Sequence, residues 1–219
     1  MIKVCGQHGR DGKCGKWFLE VMEEFFFMRK KSHISLARYM VANLGDENLK
    51  KHKLSFYIGS ILPDIKPSFL YKRHEITQTF PDLQIEMKKL TEGGKHRGKR
   101  GCGYFRDLGQ ISHYLADYFT FPHNDVFPGG LKEHCSYEEK LKRDLRSYLK
   151  ESMLRKAEKS ETGFQNLEEL IHYIQASHEE YIGKKHDVAG DITHIVSVNR
   201  KAIAGLLELF KEKKVVPAC

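Results

Sequence analysis

Helical periodicity is the sequence feature that most constrains the fold of this 219-residue chain. Apolar side chains recur at intervals of three and four residues through several long stretches, whereas alternating strand patterns are scarce and hairpin signals are absent. The stretch from about residue 188 to 213 shows this most fully, because its apolar stripe continues from Ile192 to Phe210. We therefore predict an all-α fold, a single-domain multi-helix bundle whose polar core positions can hold metal ions.

Residues that cap or break helices set the expected boundaries in the first half of the chain. Ser32 is a favoured type of N-cap for a helix from residue 33 to about residue 43, which Gly45 would end. Residues 75–91 show a weaker amphipathic pattern, and we expect Pro81 to interrupt that helix.

The second half of the chain is expected to hold longer helices. A connector with prolines and glycines is predicted over residues 120–133, before a helix from about residue 136 to 160. At the other end, residues 1–16 are interpreted as an irregular N-terminal extension. Residues 17–219 show no internal repeat and no linker, so we expect one domain there.

Positive charge exceeds negative charge in this chain, with a formal net charge of +8 and a pI of about 9.1. Such an excess suits nucleic acid, an anionic membrane surface or a phosphorylated substrate. Several cations lie in the Gly-rich segment 92–103, which contains Lys95, His96, Arg97, Lys99 and Arg100. We expect this segment either to hold an anionic group or to form a solvated surface loop.

The sequence favours a cytoplasmic location. It has no apolar run that approaches the roughly 18 residues of a transmembrane helix, and its first 16 residues lack the apolar centre of a signal peptide. The five cysteines show no disulfide framework in their spacing, so we expect free thiols in a reducing compartment.

Two histidine–carboxylate pairs lie within one short stretch of sequence. His113 and Asp117 are four residues apart, as are His134 and Glu138, and His123 lies between the two pairs. On a helix, residues at this spacing share a face, so each pair can direct its nitrogen and oxygen atoms to one point. Such ligands suit zinc, and the recurrence indicates more than one ion. Alternatively, an ordinary buried His–Asp hydrogen bond would satisfy the same groups.

Three residues earlier in the chain are further ligand candidates. His33 stands at an expected helix start, where an exposed histidine is the ordinary interpretation. Asp64 lies between two prolines, where an aspartate commonly forms a turn. His74 belongs to the basic segment YKRHEIT and would ordinarily be a surface residue.

Taken together, these residues resemble those of a known family. The segments SHISLARYM, GSILPD, LGQISHYLADYFTFPHN and HCSYEEKL, with His74 after the second, are similar to the zinc-dependent phospholipase C family. That family is structurally related to the P1/S1 nucleases. The resemblance covers roughly residues 32–145 and is strongest over residues 108–138, where the order and spacing of histidines and carboxylates agree.

The resemblance implies an all-α fold of the phospholipase C / P1 nuclease type, with two or three zinc ions in a cleft. His33 would bind one ion of a close pair. The other ion of the pair would be bound by Asp64, His74 and His113, and Asp117 would bridge the two.

A third zinc ion is implied at His123, His134 and Glu138. The family's secreted enzymes also complete the close pair with an N-terminal tryptophan, whereas Trp17 here is internal. The ion beside His33 is therefore expected to be absent, weakly bound, or completed by another residue, the candidates being Cys5, His8 and Cys14.

The implied activity is hydrolysis of a phosphodiester by a metal-activated water, which Asp64 would orient or deprotonate. The implied substrate is a phospholipid, with peripheral membrane contact as a further expectation. Two alternatives remain open, a single-strand nuclease of the P1/S1 type and a non-catalytic, zinc-stabilised binding protein. Four aromatic residues near the candidates would either line a head-group pocket or pack in the core, namely Phe69, Tyr71, Phe119 and Phe121.

Overall fold

The computed structural model describes residues 30–65, 74–92, 96, 99–154 and 162–212. These residues are mostly α-helical and include no β-strand, which confirms the predicted all-α fold. None of the described helices is long and apolar enough to cross a membrane. Several positions considered above lie outside the described residues, namely the extension 1–16 with Cys5, His8 and Cys14, and also Trp17, Phe69 and Tyr71.

The described helices are α1 over residues 30–43, α2 over Glu47–Lys51, α3 over Lys53–Ile61, α4 over Ile76–Thr91, α5 over Cys102–Tyr118, α6 over Leu131–Leu154, α7 over Leu167–Ile182 and α8 over Val188–Glu212. A short 3₁₀ turn, Phe121–His123, follows α5. Gly45, with a positive φ of 67°, follows the end of α1 as predicted, because glycine adopts this left-handed conformation without steric cost.

Three predicted boundaries were wrong. Ser32 is not an N-cap, because α1 is already helical at residue 30. Pro81 does not interrupt α4, which continues from Ile76 to Thr91; the proline is exposed and near the helix start, so it removes only one early hydrogen bond. The helix expected at residue 136 begins at Leu131, where the Glu133 side chain accepts a hydrogen bond from the Gly130 backbone N–H and so caps the first turn.

Helix α5 is the central element of the fold. It contacts α3, α4 and α8, and six of its large side chains are almost fully buried, namely Tyr104, Phe105, Leu108, Ile111, Leu115 and Tyr118. His113 and Asp117 lie on this same helix, so both are held in a densely packed environment.

Helices α3 and α5 cross at two glycines. A Cβ atom on Gly59 would lie 2.0 Å from the carbonyl oxygen of Arg106, and one on Gly109 would lie 2.3 Å from that of Phe56. Neither position can therefore carry a side chain while the helices keep this separation. The close approach brings the end of α3 against α5, and the His113 Nδ1–H donates to the Ser60 carbonyl at 2.9 Å.

A buried carboxylate joins four elements near the start of α8. Asp191 Oδ2 accepts hydrogen bonds from the Phe121 backbone N–H at 2.8 Å and from the Tyr137 hydroxyl at 2.9 Å, and Oδ1 accepts from the Tyr181 hydroxyl at 2.8 Å. The 3₁₀ turn, α6 and α7 are thereby fixed to α8. This contact positions both the turn that carries His123 and the helix that carries Glu138.

In the part of the basic segment 92–103 that the structure describes, His96 and Arg100 pair with carboxylates, whereas Lys95 and Arg97 lie outside the described residues. The Arg100 side chain is only 7% exposed, and its Nη2 donates to Asp46 Oδ2 at 2.6 Å. His96 Nε2 lies 3.0 Å from Asp107 Oδ2. His96 thus contacts α5 and Arg100 contacts the N-cap of α2, so these two residues have structural partners.

Candidate metal centre

The structure brings all eight predicted ligand residues together. They converge from α1, the turn after α3, the residue pair before α4, α5, the 3₁₀ turn and α6. All are buried except His134, whose side chain is 20% exposed. They form two groups, which we name the Asp117 cluster, comprising His33, Asp64, His74, His113 and Asp117, and the Glu138 cluster, comprising His123, His134 and Glu138.

Asp117 lies at the centre of the first cluster. Its Oδ2 is 2.8 Å from His74 Nδ1 and 3.2 Å from His113 Nε2, whereas its Oδ1 is 3.3 Å from His33 Nε2. The helical spacing of four residues predicted the contact with His113. The contacts with His33 and His74 depend on the packing of α1 and of the segment before α4 against α5.

The hydrogen bond to Ser60 determines which nitrogen of His113 faces the cluster. A carbonyl oxygen only accepts, so Nδ1 carries a proton, and Nε2 is the ring nitrogen that faces the carboxylates. That nitrogen lies 3.2 Å from Asp117 Oδ2 and 3.6 Å from Asp64 Oδ1. Two carboxylate oxygens therefore face this nitrogen, an arrangement that either a metal ion or a proton on Nε2 stabilises.

Asp64 provides the most direct indication of a ligand. It is 1% exposed, and neither of its carboxylate oxygens has a hydrogen-bond partner among the described residues. Its closest charged-pair contacts are His113 Nε2 at 3.6 Å and His74 Nδ1 at 3.9 Å, too long for hydrogen bonds. A buried carboxylate without donors is costly, whereas coordination of a metal ion removes that cost.

The Glu138 cluster is smaller and lies beside the first. Glu138 Oε1 is 2.8 Å from His123 Nε2 and 3.0 Å from His134 Nε2. The other ring nitrogen of His123, Nδ1, lies 3.5 Å from Asp117 Oδ1. His123 thus connects the two clusters. Donor atoms lie within 4.8 Å of one another in three triads, namely His33 with Asp64 and His113, His74 with His113 and Asp117, and His123 with His134 and Glu138.

The charge of Asp117 is stabilised by its neighbours. Burial alone opposes ionisation of the carboxyl group, but the combined influence of His113, His123 and His33 outweighs it and holds the pKa of Asp117 well below its usual range. Asp117 is therefore an anion at neutral pH, the state in which a carboxylate can bind a metal ion.

A narrow cavity of 40 Å³ opens onto both clusters. His33, Asp117, His123 and Glu138 line its polar side, and its other side is formed by the aliphatic side chains of Leu36, Leu141, Leu145 and Ile195. The volume suits ions and a few waters rather than a whole organic substrate, since ligand pockets usually measure roughly 300–1,000 Å³. The aliphatic wall excludes bulk water from one side of the polar groups.

Comparison with protein-family models identifies the family to which this chain belongs. The family model of zinc dependent phospholipase C matches residues 32–188, more than half of the chain. The chain belongs to the zinc-dependent phospholipase C family. All eight candidate residues fall within the matched range. Comparisons with curated proteins and with solved structures gave no match.

The residues of this family member fit zinc. Five histidines and three carboxylates supply the nitrogen and oxygen donors that zinc prefers, and the donor-free oxygens of Asp64 leave room for an ion among them. The zinc dependence of the phospholipase C family therefore agrees with the side chains that the structure brings together.

Three contributors to the site were missed by sequence reasoning. Ser60 acts through its backbone carbonyl, which no side-chain pattern reveals. The ring of Tyr114 lies edge-on to that of His74, with centroids 5.0 Å apart, and burial together with the nearby aspartates raises the pKa of its hydroxyl to about 12. Asp191 had a detectable signal, because it interrupts the apolar stripe of α8 directly before Ile192.

The two described aromatic residues beside the ligands, Phe119 and Phe121, pack against other rings. Phe119 is fully buried against Tyr181 and His194, and Phe121 stacks on His186 with ring centroids 4.2 Å apart. Neither lines the cavity at the clusters. Of the two alternatives considered, the structure supports core packing for Phe119, whereas Phe121 is half-buried and lies outside the core.

Proposed function

We propose that this protein is a zinc-dependent phosphoric-ester hydrolase that cleaves phosphodiester bonds, with a phospholipid as its substrate. The observation that carries the proposal is the buried, donor-free carboxylate of Asp64 beside Asp117, a second carboxylate shared by histidines of both clusters. Membership of the zinc-dependent phospholipase C family supports the same activity.

The proposed ligand sets follow the two clusters. A close pair of zinc ions would be held by His33, Asp64, His74 and His113, with Asp117 between them. When bound, zinc supplies positive charge that neutralises the phosphodiester and lowers the pKa of water.

The third ion of the proposal belongs to the Glu138 cluster. His123, His134 and Glu138 supply two nitrogen donors and one carboxylate, a set that zinc accepts. The 2.8 Å and 3.0 Å contacts of Glu138 Oε1 hold the two imidazoles toward one point.

Asp64 is the proposed catalytic residue. Its oxygens accept no hydrogen bond from the described residues, so they are available to orient the attacking water and to receive its proton. The contact of His113 with Ser60 fixes the adjacent imidazole, and the burial of Asp64, which is 1% exposed, limits access of other water.

The proposal is tested by zinc content and hydrolysis in three proteins: wild type, Asp64→Asn and Asp107→Asn. Asp107 is a matched control, because it is also buried but contacts His96 and Gln110 away from the clusters. We expect wild type to contain zinc and hydrolyse a phosphocholine ester. Asp64→Asn should lose most of the turnover, whereas Asp107→Asn should keep both zinc and turnover.

Two results would contradict the proposal in different ways. Zinc without turnover on any phosphodiester would identify a zinc-stabilised binding protein. Faster cleavage of single-stranded DNA than of the phosphocholine ester would identify a nuclease instead.

A further inference from the structure

Helix α3 exposes a stripe of aliphatic side chains. Leu54 and Ile58 are 68% and 54% exposed and lie four residues apart on one face. Ile61 continues the stripe after three more residues, and Ile65, in the turn beyond, is 53% exposed. Single exposed aliphatic residues are common, but a row of them on one helix forms a contiguous apolar surface.

A basic cleft of 430 Å³ adjoins this helix. Six cationic residues line it, three from α1 and three from α6, namely Lys30, Lys31, Arg38, Lys142, Arg143 and Arg146. The described residues that line the cleft include no aspartate or glutamate. Arg143 and Arg146 are exposed, whereas Lys142 pairs with Glu139 at 2.5 Å. The cleft therefore attracts anions, and it is large enough for a phosphate-bearing head group.

The stripe and the cleft are parts of one surface. Ile61 belongs to both, because it lines the cleft at the point where the α3 stripe ends. The surface is also next to the candidate metal centre. Ile65 directly follows Asp64, and the two helices that line the cleft carry His33 and Glu138.

We propose that the α3 stripe and the basic cleft form one docking face for the surface of an anionic lipid bilayer. Aliphatic side chains enter the boundary between head groups and acyl chains, while neighbouring cations contact the phosphates and carboxylates of anionic lipids. Nucleic acid would match the cleft but leave Leu54 and Ile58 exposed to water. The combination of aliphatic and cationic residues is what selects a bilayer.

Vesicle binding tests the proposal with the 219-residue chain purified with zinc. Sedimentation would compare vesicles of phosphatidylcholine alone with vesicles that also contain phosphatidylserine. We expect wild type to bind the anionic vesicles at least about tenfold more tightly, and this preference should weaken as salt is raised. Leu54→Ser with Ile58→Ser should weaken binding about tenfold or more.

Charge reversal probes the cleft in the same assay. Arg143→Glu with Arg146→Glu should weaken binding to the anionic vesicles by roughly 25-fold or more, since each surface cation contributes about fivefold. The matched charge control is Lys88→Glu with Lys185→Glu, both exposed and outside the cleft.

The matched control for the stripe is Ile85→Ser with Met153→Ser. These side chains are 53% and 45% exposed and lie on α4 and α6 rather than on the α3 stripe. Both control proteins should bind vesicles as wild type does.

Several outcomes would overturn the docking face. These are absence of wild-type binding, equal binding to both vesicle types, or loss of binding in only one of the two test variants. Binding of single-stranded DNA that depends on Arg143 and Arg146 but not on Leu54 would assign the cleft to nucleic acid.

Hydrolysis of a short-chain, fully dissolved phosphodiester separates this inference from the proposed function. Docking is not needed for a dissolved substrate, so the stripe and cleft variants should cleave it at the wild-type rate. Absence of this cleavage with intact vesicle binding would reject the hydrolase and leave the docking face standing. Retained cleavage without vesicle binding would reject the docking face and leave the proposed hydrolase standing.

Discussion

The two clusters of candidate ligands are built in different ways. The Asp117 cluster collects side chains from four separate parts of the chain, and every member is buried. The Glu138 cluster takes its members from residues 123–138 alone, and His134 remains partly exposed. The first cluster therefore depends on how helices pack, whereas the second depends on one turn and one helix start.

This difference predicts which structural defects would disturb the geometry of each cluster. A defect where α3 crosses α5 should disturb the Asp117 cluster, because Asp64 and His113 come from opposite sides of that crossing. A defect at Asp191 should act on the other cluster, through the Phe121 backbone and Tyr137. Asp117 and His123 join the two clusters, since Asp117 Oδ1 lies 3.5 Å from His123 Nδ1.

The largest effect is expected for Asp117→Asn, which removes the shared charge. Zinc content should fall, and hydrolysis should fall more than the roughly 10–100-fold that outer-shell partners of a metal usually contribute. Elemental analysis and turnover on a phosphocholine ester are the measurements. Wild-type turnover with full zinc would show that the two clusters do not share this carboxylate.

The next prediction separates the clusters with a pair of variants, His113→Ala and His134→Ala. Each should remove a different share of the bound zinc, because each side chain belongs to only one cluster. Zinc per chain, measured on both proteins beside wild type, is the readout. If neither substitution changed the zinc content, both histidines would be structural residues and the metal centre would be rejected.

A smaller effect is expected for Gly109→Ala in the helix crossing. The new Cβ would lie 2.3 Å from the Phe56 carbonyl oxygen, so α3 and α5 must separate. The free energy of unfolding should fall by about 1–3 kcal/mol, and zinc should be lost from the Asp117 cluster in preference to the other. Denaturant unfolding and zinc analysis would test this.

Gly101→Ala is the control for that substitution. Gly101 is the N-cap of the same helix, and a Cβ atom added to it would meet no described atom within 4 Å. Its cost should stay within about 0.5 kcal/mol. Equal losses in both variants would show that the crossing is not what holds the Asp117 cluster together.

The smallest effect is expected for Asp191→Asn. The amide nitrogen cannot accept a hydrogen bond, so one or more of the three donors loses its partner, at a cost of about 1–2 kcal/mol. Zinc in the Asp117 cluster should be retained. Thermal unfolding and zinc analysis of the variant are the measurements.

The cost of this substitution should also depend on pH. Burial raises the pKa of the Asp191 carboxyl group, although its three hydrogen bonds oppose the shift. The folded protein therefore keeps this proton to higher pH than the unfolded chain, and wild type loses stability as pH rises from the ordinary aspartate pKa through the raised one. The difference between wild type and Asp191→Asn should accordingly be larger at acidic than at neutral pH. A difference that grew with pH would contradict the raised pKa.

The sequence predicted the local parts of the site well. The spacing of four residues placed His113 with Asp117 and His134 with Glu138 on shared helix faces, and the structure has both pairs in contact. Their recurrence also indicated a metal site. The two predicted contacts were confirmed because helical geometry alone determines which residues share a face, whereas the metal site stays a prediction.

The spacing of residues in the sequence could not predict contacts between distant segments of the chain. Only resemblance to the family connected His33, Asp64 and His74 with α5. The position of Arg100 shows the same limit, since its partner Asp46 lies 54 residues away and a run of cations gave no sign of burial. The structural role of Gly59 and Gly109 likewise could not be predicted, because it depends on the close approach of two helices.

The contact of Asp117 with histidines of both clusters has a thermodynamic consequence. If metal ions bind at both clusters, an ion at the Asp117 cluster changes the affinity of the Glu138 cluster for its ion by some factor. An ion at the Glu138 cluster must then change the affinity of the Asp117 cluster by the same factor. A substitution confined to His134 would then alter the dissociation constant of an ion beside His113 as well. Two groups of residues with separate origins in the chain thus form one linked binding equilibrium.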